Sequence, residues 1–257
     1  MNPVYFVGAG PGDPELMTLK GRHLLDQAEL IIYAGSLVNP ALLQGLKAEV
    51  HDSAGLDLEA ITSLMVTAQR AGRRVVRLHT GDPAIFGAIK EQMAVLERQG
   101  IPFQVVPGVS SMAATAAALK AELTLPEVSQ TVIITRQAGR TPVPGGENLA
   151  ALASHQATMM IFLSAGLIEQ VVADLLAGGY PPTTPVAVVE RASWPEERVI
   201  RGELATIAAQ VQEAGITKTA IIAVGRVFAR GELSAVSKLY DKEFKHGYRD
   251  SNPAVNG

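Results

Sequence analysis

Short apolar runs alternate along the chain with stretches whose apolar residues recur at helical spacing. Val4–Val7 is the first run and ends in Gly8-Ala9-Gly10; Leu30–Tyr33, Arg74–Leu78 and Phe103–Val106 follow it. These read as strands. Between them, Glu15–Gln27, Leu58–Ala71 and Ala84–Gln99 read as helices. In the second of these, Ile61, Leu64, Met65 and Ala68 fall at i, i+3, i+4 and i+7, which is one helix face. Gly72 and Gly100 stand where C-caps belong. Strands alternating with helices predict an α/β domain on a largely parallel sheet.

A second series begins after Leu123-Thr124-Leu125-Pro126. Val132–Thr135, Thr158–Leu163, Pro185–Val189, Arg198–Arg201 and Ala220–Val224 read as its strands. Trp194-Pro195-Glu196-Glu197 joins the third to the fourth in a hairpin-like connection, which predicts a mixed sheet in this half. The expected division is an N-terminal α/β domain over 1–122, a C-terminal α/β domain over 123–240 and a polar tail over 241–257. No internal repeat is present.

Composition narrows the classes. The 257 residues suit two modest domains. A hydrophobic fraction of 47% marks a folded chain. The absence of cysteine removes disulfides, thiolate metal sites and a Cys nucleophile. No apolar run reaches the roughly 18 residues of a membrane span, and the first basic side chain is Lys20. The expectation is therefore a cytoplasmic protein without a membrane partner. A net charge of −3 argues against general nucleic-acid binding.

Gly8-Ala9-Gly10-Pro11-Gly12-Asp13 follows the first strand, where open α/β sheets bind ligands. It fails as a dinucleotide fingerprint. Asp13 stands at the third glycine position, where a carboxylate repels a pyrophosphate. Pro11 removes an amide donor. The second strand runs into Tyr33-Ala34-Gly35-Ser36, without an acid for a ribose. No P-loop pattern occurs. Gly81-Asp82-Pro83 follows another strand, with Asp82 and Pro83 placed as N-cap and first helical residue. Pro107-Gly108-Val109-Ser110-Ser111 follows a third and opens a helix of small side chains, Met112–Ala118. Its first amides and the serine hydroxyls either face a ligand or serve close packing. Thr135-Arg136, Gly139-Arg140-Thr141-Pro142 and Arg191-Ala192-Ser193-Trp194-Pro195 put guanidinium groups on strand-end loops, suited to carboxylates or simply solvated. Trp194 reads as a packing residue. The five histidines show no metal spacing, and no metal is expected; His79, beside Gly81-Asp82, is a candidate acid–base group or an orienting residue.

Together these motifs resemble the tetrapyrrole methylases. Gly8 to Gly21 is similar to that family's opening signature, and Gly81-Asp82-Pro83 and Pro107–Ser111 resemble its next two motifs. The resemblance runs from residue 3 to about 248. It implies a homodimer of two-domain α/β subunits, with S-adenosylmethionine as methyl donor in a cleft between the domains and a precorrin-type tetrapyrrole as substrate. The cofactor contacts it implies are Pro11, Gly81, Asp82, Ile85, Ser110, Ser111, Leu163, Ala192 and Thr219. Tyr33–Val38, Ala121–Pro126, Gly139–Pro144 and Arg191–Pro195 resemble the branch that methylates C11 of precorrin-4 in corrin-ring biosynthesis. The tail 237–249 looks more like that branch's oxygen-dependent members. Gly35 stands where related uroporphyrinogen methylases carry an Asp, so an acid–base role does not transfer to it. On this reading Arg77, Arg136, Arg140 or Arg191 holds the macrocycle's carboxylates. The competing readings are a cobalt-containing substrate, another methylase of the superfamily acting in diphthamide or ribosomal-RNA modification, and a non-catalytic tetrapyrrole carrier. A nicotinamide dehydrogenase is disfavoured by the failed fingerprint.

Overall fold

The computed structural model describes residues 2–231, 237 and 244. The expected polar tail, Phe244 apart, lies outside them. The chain divides into two compact units that are not consecutive stretches. One comprises Met1–Ala118 with Val189–Val199 and Lys218–Ile221; the other comprises Leu119–Val188, Ile200–Thr217 and Ile222–Gly257.

The first unit holds β1 (Val4–Gly8), α1 (Leu19–Asp26), β2 (Leu30–Tyr33), β3 (Glu49–Asp52), α2 (Leu58–Arg70), β4 (Val75–His79), α3 (Ile89–Arg98), β5 (Phe103–Val106) and all but the last residue of α4 (Ser111–Leu119). Its five strands lie in the order β3-β2-β4-β1-β5, and every pairing is parallel. The alternation of side chains along each strand separates two cores. Val7, Ile31, Val76 and Leu78 pack with Leu25 of α1 on one face. Phe6, Leu30, Ile32 and Val75 pack with Ile61 and Met65 of α2 and Leu96 of α3 on the other. Successive residues of one strand serve opposite layers, so apolar runs buried on both faces were readable as strands. β3 was not foreseen: Glu49-Val50-His51-Asp52 is an edge strand with little apolar content.

Two expected helices are shorter than their patterns. Asp13 caps only a 3₁₀ turn at Pro14–Leu16, where its Oδ1 accepts from the Glu15 N–H. α1 has its own cap, Thr18, whose hydroxyl accepts from the Gly21 N–H. The helix expected from Ala84 begins at Ile89 instead. Phe86 (φ 54°) and Ala88 (φ 47°) are left-handed, and a Cβ on Gly87 would overlap the Pro83 carbonyl, so residues 84–88 turn rather than wind.

The second sheet contains β6 (Val132–Arg136), β7 (Thr158–Phe162), β8 (Pro185–Glu190), β9 (Arg198–Glu203) and β10 (Ala220–Val224), in the order β6-β7-β10-β8-β9. β6 runs parallel to β7, and β10 antiparallel to it, giving the expected mixed sheet. The helices α5 (Leu149–Ala153), α6 (Ile168–Ala177) and α7 (Leu204–Glu213) accompany it. No helix among the described residues is long and apolar enough to cross a membrane.

At the carboxyl ends of β4, β1 and β5 the backbones meet. A Cβ on Gly8 would stand 2.6 Å from the Gly81 oxygen, and a Cβ on Gly108 would overlap that same atom. Gly108 has no left-handed φ, so contact alone demands the glycine. We expect Gly108→Ala to lower stability by about 1–3 kcal/mol in urea unfolding. Gly55→Ala, in open space and without a left-handed φ, should stay within about 0.5 kcal/mol; equal effects would remove the contact as the cause.

Candidate functional site: the loop cluster at the carboxyl edge of the parallel sheet

Three strand-end loops of the first unit are fastened to one another. Gly10 and Gly81 exchange backbone hydrogen bonds, Gly81 N–H to Gly10 O at 2.8 Å and Gly10 N–H to Gly81 O at 3.3 Å. Gly10 (φ 79°) and Gly81 (φ 60°) are both left-handed, which glycine adopts without penalty. The Asp82 carboxylate then joins two loops. Its Oδ1 accepts from the Ala84 N–H at 2.8 Å and its Oδ2 from the Gly108 N–H at 2.9 Å. Asp82 is therefore not the N-cap of α3, which begins at Ile89; its carboxylate holds the turn at Ala84 and clamps it to the Gly108 loop. A Cβ on Gly81 would lie 3.6 Å from Ser111 N and 3.7 Å from Ser110 Cα, which brings the start of α4 into the same group. There the Ser110 hydroxyl accepts from the Met112 N–H, and its carbonyl accepts from Ala113 and Ala114.

A fourth segment, the β8–β9 connection, joins the cluster within the same unit. The Trp194 indole N–H donates to the Pro11 carbonyl at 2.9 Å, and the Ser193 hydroxyl accepts from the Asp13 N–H at 3.0 Å. The Arg191 N–H donates to the Thr219 carbonyl at 2.9 Å. Arg191, Ser193 and Thr219 are all left-handed, with φ of 47°, 70° and 55°. Such backbone in non-glycine residues costs of order 1–3 kcal/mol each and persists where surrounding contacts fix it. Of the nine expected cofactor contacts, Pro11, Gly81, Asp82, Ile85, Ser110, Ser111, Ala192 and Thr219 belong to this unit. Leu163 belongs to the other, left-handed (φ 55°) and 70% exposed. The turn behind it is fixed by Ser164, whose buried hydroxyl donates to the Phe162 carbonyl and accepts from the Gln137 N–H.

Gly35 is left-handed (φ 57°), and a Cβ there would come within 3.0 Å of Ala54 Cβ and 3.2 Å of Asp52 Oδ1. The position lacks room as well as an acid.

Two expected roles are corrected by burial. Arg77 is 5% exposed; its guanidinium donates to Gln92 Oε1 of α3 at 3.1 Å and to the Ile32 carbonyl at 3.2 Å. Burial lowers its pKa to about 10. It shares the strand parity of Val75, so it lies under α3 and leaves the set available to a substrate. His79 has the same parity and is 4% exposed, with its ring stacked on Phe6. Its Nε2 has no hydrogen-bond partner. Burial, with the Arg77 charge adding to it, pushes its pKa down to about 3. A buried, weakly basic imidazole stacked on Phe6 is poorly suited to the acid–base role expected of it. Alternation along β4 was the available signal for both corrections.

The other arginines divide. The Arg136 guanidinium donates to the carbonyls of Gln137, Thr141 and Pro142, and so holds its own loop. Arg191 is exposed, lies 5.9 Å over the Trp194 ring and pairs with Glu196 at 3.7 Å. Arg140 is exposed and makes no ion pair or hydrogen bond among the described residues. The docking of Trp194 on the glycine loop was missed, because nothing local ties residue 194 to residue 12.

Glycine-lined loops at the carboxyl edge of a parallel sheet, offering backbone rather than reactive side chains, mark an α/β protein with a candidate ligand-binding edge. The family model of the tetrapyrrole (corrin/porphyrin) methylases matches residues 3–208. The chain belongs to that family. It is 56% identical over 251 residues to a cobalt-precorrin-4 C(11)-methyltransferase of Methanocaldococcus jannaschii, covering 97% of this chain and 96% of the relative. It is 50% identical over 247 residues to a precorrin-4 C(11)-methyltransferase of Pseudomonas aeruginosa, covering 96% and 98%. Among solved structures, a cobalt-precorrin-4 methyltransferase superposes with a TM-score of 0.87 at 46% identity, over 89% of this chain and 96% of that one. A uroporphyrin-III C-methyltransferase of Thermus thermophilus, complexed with S-adenosylhomocysteine, gives 0.75 at 33% identity, over 88% and 98%.

The His79 shift has a consequence for stability. Its folded pKa lies below the usual 6.5, so the unfolded chain takes up the proton first as pH falls. The stability held above pH 6.5 is therefore lost progressively toward pH 3. Between pH 7 and pH 4.5, His79→Leu should be spared roughly 2–3 kcal/mol of the loss suffered by the parent protein, read from urea midpoints at the two pH values. Parallel losses would acquit the imidazole.

Proposed function

We propose that the chain is an S-adenosylmethionine-dependent methyltransferase that methylates C11 of precorrin-4, giving precorrin-5 in corrin-ring biosynthesis. The observation that carries this reading is identity of 50–56% over nearly the full length of relatives bearing the C11-methyltransferase name. The cobalt-containing macrocycle is the second reading, because the Methanocaldococcus relative bears that name. The working form is a cytoplasmic homodimer, as the family resemblance implies.

The loop cluster suits the proposed cofactor. Its Gly8, Gly81 and Gly108 backbones lie in direct contact without Cβ atoms, so a ligand at Pro11, Gly81, Ser110, Ser111, Ala192 and Thr219 meets backbone rather than reactive side chains. Asp82 contributes by holding the Gly81 and Gly108 loops together. Bound there, S-adenosylmethionine supplies an electrophilic sulfonium methyl group. The chain's own task is alignment of that group with an enamine-like ring carbon, which is worth roughly 7–11 kcal/mol of barrier. This accounts for a site without a nucleophile or a poised base. Binding of carboxylates remote from the reacting carbon serves the same alignment.

Purified protein, labelled S-adenosylmethionine and metal-free precorrin-4 should yield a product with one added methyl, placed at C11 by NMR. Cobalt-precorrin-4 run in parallel decides between the two macrocycles, and transfer to neither would overturn the reading. Arg140→Ala should raise KM for the macrocycle roughly tenfold or more, the worth of one charge-assisted hydrogen bond, with KM for S-adenosylmethionine unchanged. Equal effects on both would sink the substrate role of Arg140.

A further inference from the structure

Gly12 has no backbone reason to be glycine, since its φ lies outside the left-handed range. The obstacle to a side chain is one residue far away in sequence. A Cβ on Gly12 would overlap Cδ1 and Nε1 of the Trp194 indole. The indole is seated there by its hydrogen bond to the Pro11 carbonyl, and the neighbouring Ser193 hydroxyl accepts from the Asp13 N–H. Three consecutive residues of the glycine loop, 11 to 13, are thus gripped by two consecutive residues of the β8–β9 connection. From the other side, the Asn39 amide donates to the Gly12 carbonyl at 2.8 Å.

The connection is itself sharply bent. Arg191 and Ser193, on either side of Ala192, are both left-handed. The Trp194 N–H closes onto the Arg191 carbonyl at 2.9 Å, and the Ser193 N–H donates to the Glu197 carboxylate at 2.7 Å. Ala192 is 6% exposed inside this bend. What keeps the bend against the glycine loop is the indole and the Ser193 hydroxyl.

We propose that Trp194, seated on Gly12, is a positioning residue for cofactor binding: it fixes Pro11 and Ala192, on two segments far apart in sequence, in the single arrangement that the cofactor requires. This rests on the methyltransferase reading above. Trp194 acts through its neighbours; the cofactor is met by the backbone it arranges. Gly12 and Trp194 form one unit, in which a larger residue 12 and a smaller residue 194 do the same damage.

S-adenosylhomocysteine is the probe, titrated by calorimetry into the full chain. Trp194→Ala and Gly12→Ala should each weaken binding at least tenfold, while thermal unfolding shows both variants folded. Trp194→Phe keeps the ring but lacks the N–H, and should recover part of the affinity. In the Trp194→Ala background, Gly12→Ala should cost less than a further twofold, because the clash has gone. Trp194 is the only tryptophan, so Gly12→Ala should also red-shift the protein's emission as the indole is displaced. Losses that multiply in the double variant, or a folded Trp194→Ala that binds like the parent, would overturn the proposal. So would an unshifted emission in Gly12→Ala. A parent protein that does not bind the probe at all would overturn the cofactor reading, and this one with it.

Discussion

The contact on which the first unit's functional edge depends is between backbones: Gly8, Gly81 and Gly108, at the ends of three adjacent parallel strands, meet without side chains between them. Parallel neighbours in a sheet are about 4.8 Å apart, and a Cβ on Gly8 or Gly108 would collide with the neighbouring loop. Here the loops converge. The Gly10–Gly81 exchange of hydrogen bonds and the Asp82–Gly108 bond follow from that convergence. The cluster consequently presents peptide dipoles in fixed directions. Fixed dipoles require no reorganisation when a ligand arrives, which is the property a binding surface for a small, polar, charged molecule needs.

A fixed backbone surface also changes how charge is read. The net charge of −3 says little about affinity for a poly-carboxylate, because binding depends on which cations remain uncommitted. Two arginines named for that task are already spent. Arg77 satisfies Gln92 and the Ile32 carbonyl under α3, and Arg136 closes its own loop through three carbonyls. Arg140 and Arg191 keep exposed guanidinium groups. Both charges are still hydrated, so pairing with a carboxylate must overcome their dehydration, and the gain depends on how far the ligand shields the pair from water.

Local signals in the sequence were sufficient wherever one strand and its own loop decided the structure. The runs buried on both faces gave the central strands, and the glycine motifs marked the loops that the structure fastens together. They failed where close backbone contact, strand parity or a distant segment decided the outcome. Residues 84–88 carry a helical composition, yet Gly87 abuts Pro83 and two left-handed residues follow from the turn. Glu49–Asp52 has a polar sequence and pairs only because β2 offers it an edge. Arg77 and His79 look like site residues by proximity to Gly81, whereas alternation along β4 turns both inward. The Gly12–Trp194 seat has no local sign at all: a glycine with ordinary φ is legible only when its neighbour in space is known.

The same geometry explains why no catalytic constellation was found by motif. Methyl transfer from a sulfonium to an electron-rich carbon needs two reactive partners held at the correct distance and angle, and both partners are ligands. The protein's share is to keep its loops from relaxing. Left-handed backbone at Arg191, Ser193 and Thr219 stores strain that would dissipate if the connection came free. It is retained because hydrogen bonds from Arg191 to Thr219, from Trp194 to Pro11 and from Asp13 to Ser193 close around it. The strain then measures how strongly the surrounding contacts specify the arrangement: a surface that needed only to be sticky would have no reason to retain it.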